Sequence, residues 1–136
     1  MAGFSGLFEG EWTYRSYSND PDPAVDPITL LFGFGVLKIL EPAFGVLSGT
    51  IGGDGWQLQL QGAISYGNPM TARFQGTGVV DQESWAYDYL GFLAPGWPNG
   101  VNQRAAMTGT IVRTLTHSKG QAPAGVTASF IAVRRG

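Results

Sequence analysis

No cysteine occurs among the 136 residues, which excludes disulfides, thiolate metal sites and a cysteine nucleophile together. Histidine is almost missing as well. His117 stands alone, so a histidine-rich metal site cannot be assembled, and a Ser-His-Asp triad would have to recruit it without any Gly-x-Ser-x-Gly elbow. Charged side chains make up 13% of the chain, roughly half the usual share, and the only lysines are Lys38 and Lys119. That scarcity excludes a series of solvated helices. With hydrophobic residues at 43% it also excludes disorder, because there is enough apolar surface to collapse and little repulsion to oppose it. No apolar run is long enough for a membrane-spanning helix. Net charge of −2 offers nothing to nucleic acid. Asp20, Asp22 and Asp26 share a loop, but Pro21 and Pro23 interrupt it and the EF-hand spacing and terminal Glu are missing. Gly33-Phe34-Gly35 lacks the third glycine and the helix of a dinucleotide fingerprint. Neither a metal nor a cofactor is expected.

What the chain does have is glycine and proline, 21 and eight residues, punctuating runs of β-formers. Period-2 alternation dominates, and no stretch keeps a helical apolar period over three turns. The runs are Phe8–Tyr17, Leu30–Leu40, Val46–Ile51, Trp56–Gln61, Thr71–Val80, Ser84–Leu93, Arg104–Leu115 and Val126–Arg135. Between them lie turn formers such as Asn19-Asp20-Pro21, Gly52-Gly53-Asp54-Gly55, Tyr66-Gly67-Asn68-Pro69 and Pro95-Gly96-Trp97-Pro98-Asn99-Gly100. Eight strands joined mostly by short loops predict one all-β domain over residues 1–136, an eight-stranded antiparallel up-and-down β-barrel. An open sheet would leave two edges and one face uncovered, and a two-sheet sandwich has less use for so many mid-strand glycines.

The charges are unevenly distributed. Residues 1–88 hold all ten acidic side chains against three basic ones, net −7, and residues 89–136 carry net +5. In a closed barrel the first and last strands lie side by side, with complementary charge. The N-terminal stretch MAGFSGLFEGEW shows no basic region followed by an apolar core, so a cytoplasmic location is expected.

Gly10-Glu11-Trp12 resembles the Gly-x-Trp with which calycin barrels (lipocalins, fatty-acid-binding proteins, avidins) begin, and Gly45-Val46-Leu47-Ser48-Gly49-Thr50-Ile51 resembles the avidin pattern Gly-x-Leu-x-Gly-Thr-Tyr. Strand order and total length are also similar to avidins. The resemblance implies that Trp12 plugs one barrel end beside a basic residue of the last strand, Arg134 or Arg135. It does not extend to biotin. Ile51 stands where avidins place the tyrosine that binds the ureido oxygen, Tyr14 and Ser16 stand where they place an Asn or Asp and a Ser, and Trp56 and Trp85 do not match their Trp walls. Allene-oxide-cyclase-type barrels, which host cyclisation, are similar in gross architecture.

Alternation then nominates the cavity. If Trp12 points inward, so do Tyr14 and Ser16, and on the fourth strand Trp56, Leu58 and Leu60 face in while Gln57, Gln59 and Gln61 face out. On the sixth strand Trp85, Tyr87 and Tyr89 form an aromatic wall, leaving Asp88 outside beside Arg73 or Arg113. In the opposite phase Asp88 and Arg73 turn inward as an acid–base or charge-stabilising pair. Two loops set an aromatic and an Asn beside Pro and Gly: Tyr66 with Asn68, and Trp97 with Asn99. They are expected at the mouth, with Trp97 as a lid or as a pin holding its loop. His117, in a polar turn, is expected to be solvated.

Three functions fit. The leading expectation is a barrel that binds a small apolar or aromatic molecule other than biotin. The second is a cofactor-independent cyclase, isomerase or hydratase working in a shielded cavity, and the third is a filled assembly barrel. All three predict a homo-oligomer, because so few charges cannot cover the outer wall.

Overall fold

The structure, a computed structural model, describes residues 7–135. The expected runs become β1 (Gly10–Tyr17), β2 (Leu31–Ala43), β3 (Val46–Gly53), β4 (Trp56–Ser65), β5 (Thr71–Val80), β6 (Glu83–Leu93), β7 (Ala106–Arg113) and β8 (Thr127–Arg134). Each pairs antiparallel with its neighbour in sequence, and β1 also pairs with β8, closing an eight-stranded up-and-down barrel. Two strands run further than their sequence pattern. β2 continues through Pro42 by way of an irregularity between Leu40 and Ala43, and only Phe44 and Gly45 turn, Gly45 at φ 76°. β4 continues past Gln61 to Ser65, where Gly62 pairs with Phe74. Pro27–Leu30 form one 3-10 turn capped by Asp26, whose carboxylate accepts from the Ile28 N–H at 3.1 Å.

Closure brings the two oppositely charged halves together. Arg135 reaches Glu11 at 3.1 Å across the β1–β8 seam, an exposed pair and therefore a small contribution. Several mid-strand glycines sit where neighbouring strands approach closely. At Gly109 a Cβ would fall on the Leu90 carbonyl of the neighbouring strand, so no larger residue fits the ladder there.

Trp12 is fully buried at the β1 end of the barrel, its Nε1–H donating to the Phe8 carbonyl at 2.8 Å. Arg134, opposite it on β8, lays its guanidinium 4.8 Å from the ring centroid. The plug and its basic neighbour are thus the ones that the calycin resemblance implies. Leu37, Met107 and Phe8 complete this solid end. Trp12→Ala should lower the unfolding free energy by about 3–5 kcal/mol; urea denaturation showing a loss below about 1 kcal/mol would mean that the plug is dispensable.

Candidate functional site

Strand parity decides what faces inward. On β1 the buried positions are Trp12, Tyr14 and Ser16; on β5 they are Ala72, Phe74, Gly76 and Val80; on β6 they are Tyr87, Tyr89 and Gly91, with Ala86 buried on the opposite face. Above the Trp12 plug comes a layer of rings. Phe74 stacks on Tyr89 with centroids 5.0 Å apart, Tyr89 meets Phe130 and Tyr14 edge-on at 6.2 and 6.1 Å, and Tyr14 lies 5.5 Å from Phe130. Gly76 makes room for this layer, since a Cβ there would press on Leu58, Leu60 and Tyr89 at 3.3 Å.

Beyond the layer the barrel is open, with a cavity of about 230 Å3. Tyr14 and Tyr89 reach it from the floor. Phe32, Trp56, Trp85 and Tyr87 wall it, Ser16 and Arg113 add polar groups, and His117 comes from the loop after β7. Gly33 supplies space, because a Cβ there would meet nothing closer than Ser16 Oγ at 3.5 Å. The mouth is the end framed by the β1–β2, β3–β4, β5–β6 and β7–β8 connections.

Tyr14, Ser16, Trp85, Tyr87 and Tyr89 therefore line the cavity as expected from the sequence. Other expectations are corrected. Trp12 plugs the opposite end and does not line the cavity. Tyr66, Asn68, Trp97 and Asn99 also lie at that opposite end, because their loops follow β4 and β6 while the mouth loops follow odd-numbered strands. Tyr66 stacks on Phe44 at 5.3 Å outside the barrel. Trp97 neither lids nor pins: its ring is 75% exposed, and its loop is held by Gln103, whose amide bonds the Trp97 N–H and carbonyl. Arg73 and Asp88 face outward, so they are not an acid–base pair within the cavity. Asp88 does not pair with an arginine either; its carboxylate accepts from Gln75 Nε2 at 2.8 Å.

Two residues absent from the sequence-based set carry the mouth's polarity. Arg113 follows the inward parity of Met107 and Ile111, a signal present in the sequence, and enters beside Tyr87, its β6 partner. Its Nε donates to Tyr87 Oη at 2.9 Å and Nη1 to the Pro123 carbonyl at 3.2 Å, while the guanidinium covers Phe32 at 5.0 Å. His117 is 5% exposed rather than solvated. Ser118 and Lys119 adopt φ 55°, and Gly120 φ 87°, folding a tight turn that lets His117 exchange both backbone bonds with Ala122. That turn lays the imidazole on Trp85, 3.9 Å between centroids and 16° from parallel.

The hydrogen placement follows from the donors. Arg113 Nε can only donate, so Tyr87 Oη accepts from it and gives its own proton to His117 Nε2 at 2.8 Å. His117 then carries its proton on Nδ1, facing Ser118 Oγ at 2.9 Å. Burial, with the Arg113 guanidinium beside it, holds the imidazole below its ordinary pKa, and Glu83 opposes this only partly. Burial likewise pushes the Tyr89 and Tyr14 phenols well above theirs, with Ser16 opposing the rise at Tyr14. Both remain neutral hydrogen-bonding groups.

The described residues hold no cluster of three metal-ligating side chains and no helix long and apolar enough to cross a membrane. Comparison with protein-family models, curated proteins and solved structures gives no match.

Because the folded state prefers neutral His117, the unfolded chain binds its proton first as pH falls. The stability this site contributes is present above the ordinary imidazole pKa of about 6.5 and is lost as pH falls from there through the lowered folded value. Thermal melts of the wild type should drop through that window more steeply than those of His117→Asn. Parallel slopes would contradict the assigned burial.

Proposed function

We propose that the protein is a calycin-like binding barrel whose cavity takes one small apolar or aromatic molecule. The observation that carries this reading is the half-filled interior, a space of about 230 Å3 walled by Phe32, Trp56, Trp85 and Tyr87. Ordinary ligand sites begin at about 300 Å3, so the size suits a compound of one or two rings. A filled assembly barrel has no use for such a space. Biotin is disfavoured because the third-strand position of the avidin tyrosine is Ile51, packed in the core and donating nothing.

An enzymatic reading has one observation behind it, the Arg113–Tyr87–His117 chain. Cofactor-independent cyclisation or isomerisation would draw on Tyr87 and His117 as the proton-handling pair, in place of Asp88 and Arg73.

Trp56 and Trp85 give the binding reading a built-in reporter. One- and two-ring aromatics should quench tryptophan fluorescence, and at a hundredfold excess over Kd should stabilise the fold by about 2.7 kcal/mol. Trp85→Ala should remove most of the quenching. An aromatic panel without any shift, together with an empty barrel in native mass spectrometry, would overturn the reading.

We also propose a homo-oligomer built on the wall from β4 to β8. At its outward strand positions only Arg73 and Asp88 are ionisable; the Gln57, Gln59 and Gln61 row and Thr108, Thr110 and Ser129 are neutral. Light scattering should return a multiple of the 14.5 kDa chain; a monomer at micromolar concentration would refute the assembly.

A further inference from the structure

Among the described residues, the cavity is lined by one permanently charged side chain and by no carboxylate. Arg113 enters among aromatic rings, and its bonds to Tyr87 Oη and the Pro123 carbonyl are both to neutral oxygens. A guanidinium has five N–H donors in a fork, so part of that fork remains for a further acceptor. Stacking on Phe32 and Tyr87, at 5.0 and 5.5 Å, holds its plane without cancelling its charge. A partly desolvated cation without a counter-charge is an incomplete arrangement, which an anion with two oxygens completes.

A second, independent feature lies one aromatic layer deeper. Tyr14 is 3% exposed, lines the same cavity, and its hydroxyl has no hydrogen-bond partner. Buried hydroxyls are normally satisfied, and an orphan calls for a missing acceptor. Ser16, the nearest inward-facing hydroxyl on the same strand, gives its own proton to the Gly33 carbonyl at 3.3 Å and so is not a donor to Tyr14 Oη.

Resting on the binding reading above, we infer that the ligand is a planar aromatic acid. Its carboxylate meets Arg113 at the mouth, its ring lies between the walls formed by Phe32, Trp56 and Trp85, and an acceptor atom on its far edge receives the Tyr14 O–H. The inference narrows "apolar or aromatic" to a ring polar at both ends.

Calorimetric titration with naphthoate, methoxynaphthoate and the two corresponding amides tests each contact separately. The wild type should bind each acid about tenfold more tightly than its amide, the effect of a charged hydrogen bond. Arg113→Met should erase the acid-over-amide ratio, which a merely structural arginine would leave unchanged. Tyr14→Phe should weaken methoxynaphthoate several-fold while leaving naphthoate as it was, and should not destabilise the empty protein, since it removes an unsatisfied hydroxyl. Should Arg113→Met fail to fold by circular dichroism, the wild-type ratio and its decline with added salt decide the question. Amides binding as tightly as acids would overturn the aromatic acid while leaving the aromatic cavity standing. No binding of any of the four compounds would overturn both.

Discussion

Across the β1–β8 seam, Thr13 Oγ1 donates to the Val133 carbonyl over a sequence separation of 120 residues, beside the backbone ladder that pairs Trp12 with Arg134 and Ser16 with Phe130. The rest of the molecule depends on that closure. Without it β1 and β8 would be edges, and Trp12 would have neither Arg134 above its face nor a ring of neighbours to plug. The seam also sets the floor of the cavity, because it places Tyr14 against Phe130. A contact this distant in sequence carries a large loop-closure cost, and the cavity exists only with it made.

Closure alone would give a filled barrel, since eight strands enclose a space that side chains can just occupy. Here the two ends are treated differently. Near the plug, large side chains alternate with inward glycines: a Cβ at Gly91 would lie 2.5 Å from Met107 Sδ. Near the mouth, a Cβ at Gly33 would meet only Ser16 Oγ, at 3.5 Å, and the aromatic side chains line the cavity. The stacked floor of Phe74, Tyr89, Phe130 and Tyr14 separates these regimes, so the cavity has a fixed depth.

The strands, their order and their inward faces were legible because period-2 alternation is a local property, and Tyr14, Ser16, Tyr87 and Tyr89 could be placed from it. The open end was harder to read. Gly- and Pro-rich loops occur at both ends, and the aromatic and Asn side chains of Tyr66-Gly67-Asn68 and Trp97-Pro98-Asn99 give the closed end the composition of a binding mouth. The answer was nonetheless present: a plug at the start of β1 shares its end with the loops after β2, β4 and β6. Arg113 is legible from the parity of Met107 and Ile111, which places a charge inside where solvation alone would place it outside. His117 was not legible. Its burial depends on positive φ at Ser118 and Lys119 and on the Glu83 carboxylate accepting the Lys119 N–H at 3.2 Å, a contact between residues 36 apart.

Alternation also separates two surfaces that sequence places side by side. Tyr87 and Tyr89 shape the cavity, while Asp88 between them belongs to the wall, bonded to Gln75 on β5. A change at Asp88 therefore alters the outer face through its neighbours Gln75 and Val112 without touching the ring layer, and a change at Tyr89 does the reverse. The mouth loops lie at one end of the barrel and the weakly charged wall lies along its side. Subunits packing on β4 to β8 would meet laterally and leave the mouth open. The two roles compete only where a side chain spans both surfaces, and a strand's two-sided pleat prevents that at every position but its ends. Arg113, the last residue of β7, lies at such an end and gives its side chain wholly to the mouth, entering the cavity while its Nη1 reaches Pro123 in the mouth loop. Pro123 and His117 belong to the same loop, so Arg113 and Tyr87 fasten that loop to the barrel at two points, Nη1 on the Pro123 carbonyl and Oη on His117 Nε2.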